Sequence, residues 1–164
     1  MSRILKGLAS LAVAAVLASS AGAQGVLTEK NVSLALAQTI ANAALEQCKS
    51  MGFKVSVAVV DRGGHAIVML HGDGAGLHTQ EGAERKAYTA RTFRASSGSL
   101  VDRLKADPTL GLIHLNNIIA NQGALPIKLG DEVIGAAGAS GAPGGEKDEA
   151  CVKAALDKVA DQLK

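Results

Sequence analysis

The residues whose types and spacing could do chemistry are His78, Glu81, Glu84, Arg85 and Tyr88, within residues 61–93 of a 164-residue chain. Glu81 and Glu84 stand at i, i+3, which brings two carboxylates together on a helix. Such a pair can share a hard cation or iron, with His78 nearby as a nitrogen donor. The competing reading is a solvated helix face on which Glu81 pairs with Arg85 at i, i+4. At about 100° per residue, Glu81, Glu84, Arg85 and Tyr88 share an arc of about 100°. Ala83, Ala87 and Ala90 fall on another face, small enough to let the helix lie close on a sheet. His65 follows the Gly63-Gly64 turn and His71 precedes the glycine-rich residues 72–76. Each reads more readily as a solvated or hydrogen-bonded histidine than as a ligand. His114 lies in an apolar run and is expected to be buried against a carbonyl.

The elements that must position these groups follow from periodicity. Residues 28–49 place Leu34, Ala37, Ala41, Ala44, Leu45 and Cys48 on one helical stripe, and Gly52 caps the end. The β-branched residues 54–60 read as a central strand, turning at Asp61-Arg62-Gly63-Gly64 into an antiparallel strand over 66–70. Thr79 is the expected N-cap of a helix running to about Ala95. A second short helix over 96–105 stops at Asp107-Pro108. Residues 110–122 fit either a short helix or a buried turn and strand. A second hairpin follows over 125–129 and 132–139, then a loop at Ala142-Pro143-Gly144-Gly145 and an amphipathic helix over 147–163. Helix, hairpin, helices, hairpin, helix makes an α+β domain: a central antiparallel sheet of two hairpins flanked by N-terminal, middle and C-terminal helices.

Residues 1–23 have the form of an export signal, with Arg3 and Lys6, an apolar run over 8–18 and Ala21-Gly22-Ala23 as the cleavage site. The mature chain is then one domain over 24–164, periplasmic or secreted. Arg3 and Lys6 account for the whole formal charge of +2, since the chain holds 17 basic and 15 acidic residues. A neutral mature domain has no electrostatic footprint for nucleic acid or for a membrane surface. In an exported chain Cys48 and Cys151 read as one disulfide, each on a helix that can pack beside the other; the alternative is two buried thiols.

Other motifs narrow the chemistry. Gly72-Asp-Gly-Ala-Gly76 lacks the spacing of a dinucleotide loop, and nothing matches a P-loop. No nucleophile elbow or haem-attachment motif occurs, and Ser140 has no evident base partner. Backbone amides over residues 138–141, before the last helix, are a candidate cradle for a carboxylate or propionate, against the simpler reading of a plain tight connection.

Three segments in order, VAVVDRGGH, DGAGLHTQEGAERKAYTARTF and LPIKLGDEVIGAAGASGAPGGEKDEAC, resemble the GlcG/HbpS family, also known as the haem-degrading domain family. The resemblance covers residues 31–164. It implies a profilin-like α+β fold, assembly into homo-oligomers, and binding of haem or a related tetrapyrrole with iron interaction. Glu81 and Glu84 resemble the iron-associated carboxylate pair of the secreted haem-binding branch; His78, near them by its position before the helix, completes the expected metal set. His78, Arg85, Lys86, Tyr88 and Arg91 are the residues expected to contact a surface-held tetrapyrrole, the basic ones facing its propionates. The axial ligand stays open among His65, His71, His78 and His114.

Three functions follow for comparison. One is a secreted haem- or tetrapyrrole-binding protein. Another is an enzyme acting on haem or a small hydroxy acid, with Glu81 or His78 as acid/base. The last is an oligomeric accessory module for a sensor or transporter.

Overall fold

A computed structural model of the protein describes residues 25–164; the expected export signal and its cleavage site lie outside them. The sheet has four strands in the order β2-β1-β4-β3, all antiparallel. Its members are β1 (Ser56–Val60), β2 (Ala66–His71), β3 (Ala124–Leu129) and β4 (Glu132–Ser140). β1 is buried at every position, as a central β-branched strand covered on both faces must be. On one face lie α1 (Leu34–Ser50) and α4 (Gly145–Lys158); on the other lies α2 (Thr79–Phe93), followed by α3 (Gly98–Ala106). The two-hairpin α+β arrangement expected from the sequence is therefore the one observed.

The α1/α4 face is the larger core. Ile40, Val57, Val59, Ile127 and Val152 meet there. Cys48 of α1 and Cys151 of α4 close a disulfide over 103 positions, with their Cα atoms 5.4 Å apart. The α2 face is packed with small residues: Ala83, Ala87 and Ala90 are fully buried. A Cβ on Gly138 of β4 would stand 2.6 Å from the Ala83 carbonyl and 2.9 Å from the Ala87 nitrogen. The alanine stripe predicted to lie close on the sheet does so, backbone against backbone.

Several boundaries move for identifiable reasons. α1 begins at Leu34 because Ser33 is its N-cap, its hydroxyl accepting from Leu36 N–H. The preceding residues are extended, and Val32 N–H donates to the Ile134 carbonyl. The N-cap of α2 is His78, which makes no side-chain capping bond. Thr79, expected as the cap, instead turns its hydroxyl inward to Ser56 and to the Gly76 carbonyl. Residues 110–122 form neither a full helix nor a strand: a single 3-10 turn at Gly111–His114 leads into a loop that leaves Ile113 and Leu115 exposed. Only Ile118 of that run is almost fully buried, at 2% exposure. α4 gives way to a 3-10 turn at Ala160–Leu163.

Candidate functional site

The exposed face of α2 shows how far the expected ligand set comes together. Glu81 and Glu84 lie side by side at the surface with Arg85, facing Ile113, His114, Leu115, Asn116 and Asn117 across a depression of about 590 Å³. Arg85 Nη1 donates to Glu81 at 3.0 Å and its Nη2 to the Ile118 carbonyl at 2.8 Å. Thr89 clamps the same loop, donating to the Arg85 carbonyl and accepting from Ile119 N–H at 3.0 Å. The i, i+4 pairing weighed against the metal reading is thus formed. His114 is exposed, not buried, because its 3-10 turn lies on the outside of the loop.

The expected metal set of Glu81, Glu84 and His78 is not assembled. Among the described residues, no group of three or more His, Cys, Asp or Glu side chains can hold an ion. The cause is local. His78 precedes the first turn of α2, and its ring folds back over Gly76, where a Cβ would meet Cε1 at 3.0 Å.

Lys86 departs furthest from expectation, since it cannot face a propionate at the surface. Its ammonium is buried and donates to Asp148 at 2.7 Å and to the Ala139 carbonyl at 3.2 Å. Asp148 Oδ1 in turn accepts from Ala142 N–H at 3.0 Å. The cradle expected over residues 138–141 for an external carboxylate therefore has an internal carboxylate, Asp148 from α4, at its edge. Sequence reading missed this pair because two opposite charges 62 positions apart carry no periodic signal.

Further along α2, Tyr88 lies against the β1–β2 turn, where a Cβ on Gly64 (φ +84) would come within 2.9 Å of its ring. Arg91 is half-buried, and its Nε has no hydrogen-bond partner. Burial, reinforced by the nearby Arg62 and Arg94 guanidiniums, lowers its proton affinity below the usual arginine range. Arg62 joins the β1–β2 turn to the N-terminal segment and to β4, bonding Glu29 at 3.1 Å and Glu132 at 2.5 Å.

A separate cleft of about 460 Å³ opens where the end of α1 meets the start of β1 and the end of β2, lined by Leu45, Lys49, Phe53, Lys54, Val55 and His71. His71 carries the one imidazole tied to a buried row: Nδ1 lies 2.8 Å from Ser56 Oγ, and Ser56 Oγ lies 2.7 Å from Thr79 Oγ1.

Residues 32–157 match the family model described as haem degrading protein HbpS-like. The chain belongs to the HbpS-like family. Its fold matches that of Streptomyces reticuli HbpS, solved as a double mutant in which two glutamates three positions apart are changed to aspartate. The identity is 33%, the TM-score 0.79, and the match covers 92% of this chain and 98% of that one. A PduOC domain solved as a haem complex is 26% identical with a TM-score of 0.71, over 77% of this chain and 93% of that one. An uncharacterized 15.0 kDa protein from the dhaT-dhaS intergenic region of Citrobacter freundii is 32% identical over 129 residues, 77% of this chain and 90% of that protein. The resemblance read from the three sequence segments is thereby shown for this HbpS-like chain.

Proposed function

We propose that this HbpS-like protein binds a tetrapyrrole, haem first among them, at an exposed surface, and acts as an exported binding protein. The observation that carries this reading is the likeness to the PduOC haem complex over 77% of the chain. The donor set supports it. His65, His71, His78 and His114 are all exposed, and a metal already held in a ring needs only one or two of them. A bare ion would need a cage, and the described residues offer no group of three ligands. When bound, the iron centre supplies axial coordination and redox chemistry. The chain would supply imidazole donors, and Arg85 and Arg91 on α2 would be its cations toward the ring's carboxylates.

Export agrees with the Cys48–Cys151 disulfide, since such bonds persist in oxidising compartments. Among the described residues no helix is long and apolar enough to cross a membrane. A bare iron ion would have only the Glu81 and Glu84 carboxylates at this surface and would take the rest of its shell from water, a weaker hold than that of an iron carried in a ring. Self-assembly accords with the exposed Ile113 and Leu115 beside that carboxylate pair and with the exposed Leu77 before α2.

The test is a spectrophotometric titration of the purified protein with hemin, followed by ascorbate. A saturable Soret shift supports the reading. A spectrum identical to that of free hemin overturns it, and loss of the bound chromophore after reductant, faster than free hemin loses its own under the same conditions, would favour the enzyme reading.

A further inference from the structure

One group of side chains in this chain is built like the outer half of a metal-ligand shell. His71 ends β2, an edge strand, and pairs directly with Ser56 of β1 across the ladder. From its Nδ1 a row of contacts runs inward: 2.8 Å to Ser56 Oγ, 2.7 Å on to Thr79 Oγ1, and 2.7 Å on to the Gly76 carbonyl oxygen. Ser56 and Thr79 are 0% and 1% exposed, so solvent does not share their hydroxyls.

The protons of this row have one consistent arrangement. A carbonyl oxygen only accepts, so the Thr79 hydroxyl proton lies between Thr79 and Gly76. Thr79 has no second proton to offer and must accept from Ser56. Ser56, having donated its only proton, must accept from His71 Nδ1. The imidazole is therefore the Nδ1–H tautomer, and Nε2 keeps its lone pair on an exposed residue.

We propose that His71 Nε2 is the protein's ligand to the metal of a metallotetrapyrrole, with the Ser56–Thr79–Gly76 row orienting the ring. This rests on the tetrapyrrole reading above and names its ligand. Metal-ligating histidines ordinarily donate their other ring N–H to a fixed acceptor, which sets tautomer and aim. The other three imidazoles have weaker support or none. His65 has only Asp61, 3.4 Å away, and its side chain is 82% exposed. His78 makes no side-chain capping bond, and His114 is exposed on its 3-10 turn. The class of ligand follows from what His71 does not have. It belongs to no group of three donors among the described residues, so a free ion would find one nitrogen and no cage. A metal held by four ring nitrogens lacks only its axial donor.

Two measurements test this. Nitrogen NMR of the protein labelled with ¹⁵N-histidine should show one ring, absent from His71→Ala, as the Nδ1–H tautomer; an Nε2–H ring at His71 overturns the proposal. Hemin titration should give a histidine-ligated Soret spectrum for the wild type. His71→Ala should lose that spectrum, and added imidazole should restore it. Ser56→Ala, which leaves the ring present but unaimed, should weaken hemin binding roughly tenfold, the low end for loss of an outer-shell partner. Circular dichroism checks that each variant is folded, and His71→Gln serves if the alanine variant is not. If the wild type binds hemin and both His71 variants keep its spectrum and affinity, His71 is not the ligand while the tetrapyrrole reading stands. If the wild type leaves the hemin spectrum unchanged, both fall.

Discussion

The two faces of the sheet are built on different chemistry. Toward α1 and α4 the contacts are Ile40, Val57, Val59, Ile127 and Val152, closed by a disulfide. Toward α2 the apolar contacts shrink to alanine and glycine, and the buried polar side chains gather: Ser56, Thr79, Lys86, Thr89, Ser140 and Asp148. The first face is held by non-directional burial, which tolerates exchange among side chains of similar volume. The second is held by hydrogen bonds among these groups, where leaving one unsatisfied costs more than a made bond contributes. Directional contacts fix where atoms sit. Of the groups with chemistry to offer, His71 is tied to that face through Ser56 and Thr79, while the α2 carboxylates stand on the helix's outer side.

The largest break in this comparison should come from Lys86. Lys86→Met leaves Asp148 buried without its cation and should cost about 3–5 kcal/mol of stability in urea denaturation. Adding Asp148→Leu should restore most of that loss, because the pair can be replaced together though not singly. A double variant as unstable as the single one would mean that the bonds to Ala139 and Ala142, not the charge, are what hold the α2 face. On the other face, replacing Cys48 and Cys151 by alanine should cost about 2–4 kcal/mol by freeing the unfolded chain. Reductant should produce the same loss in the wild type and none in the variant.

The dry face was also the more legible one. Helical stripes through Ala37, Ala41, Ala44 and Cys48 and a β-branched strand are periodic signals, and these helix positions and residues 55–60 are buried as the period implies, while Leu34, read onto the same stripe, is exposed and Lys54 lies outside the strand. The alanine face of α2 was readable for the same reason. What could not be read were contacts between residues far apart in sequence with no period to link them. Lys86 looks like any surface lysine until Asp148 is brought to it by the fold. Thr79 looks like an N-cap until β1 places Ser56 beside its hydroxyl. His71 was one of four candidate axial histidines until the β1–β2 register set it opposite Ser56. Residues 110–122 misled because their apolar run covers Ile118 alone and leaves Ile113 and Leu115 outside.

A middle-sized effect tests how closely the two layers of the polar face must approach. Gly138→Ala puts a methyl 2.6 Å from the Ala83 carbonyl. The obstacle is backbone, so α2 itself must shift. The expected cost is about 1–3 kcal/mol, and because the shift would disturb the α2 start, the His71 row should loosen with it. A stable Gly138→Ala variant with unchanged hemin binding would show that helix and sheet have slack at this crossing.

The smallest effect belongs to Glu81 and Arg85, and it sharpens the comparison by contrast with Lys86 and Asp148. Both are lysine- or arginine-to-carboxylate pairs involving α2, yet the Glu81 side chain is 72% exposed and that of Asp148 only 3%. An exposed i, i+4 pair contributes about 0.3–0.5 kcal/mol and is screened by salt. Glu81→Gln should therefore change stability by less than about 0.5 kcal/mol, and the difference should vanish in high salt. Arg85 keeps its bond to the Ile118 carbonyl in that variant, so the loop over residues 110–122 should stay in place. If Glu81 serves as an iron contact, the same substitution should remove bound iron while leaving the urea midpoint almost unmoved. A large fall in stability would instead make Glu81 a structural residue, and the surface of α2 would then be as tightly specified as its buried side.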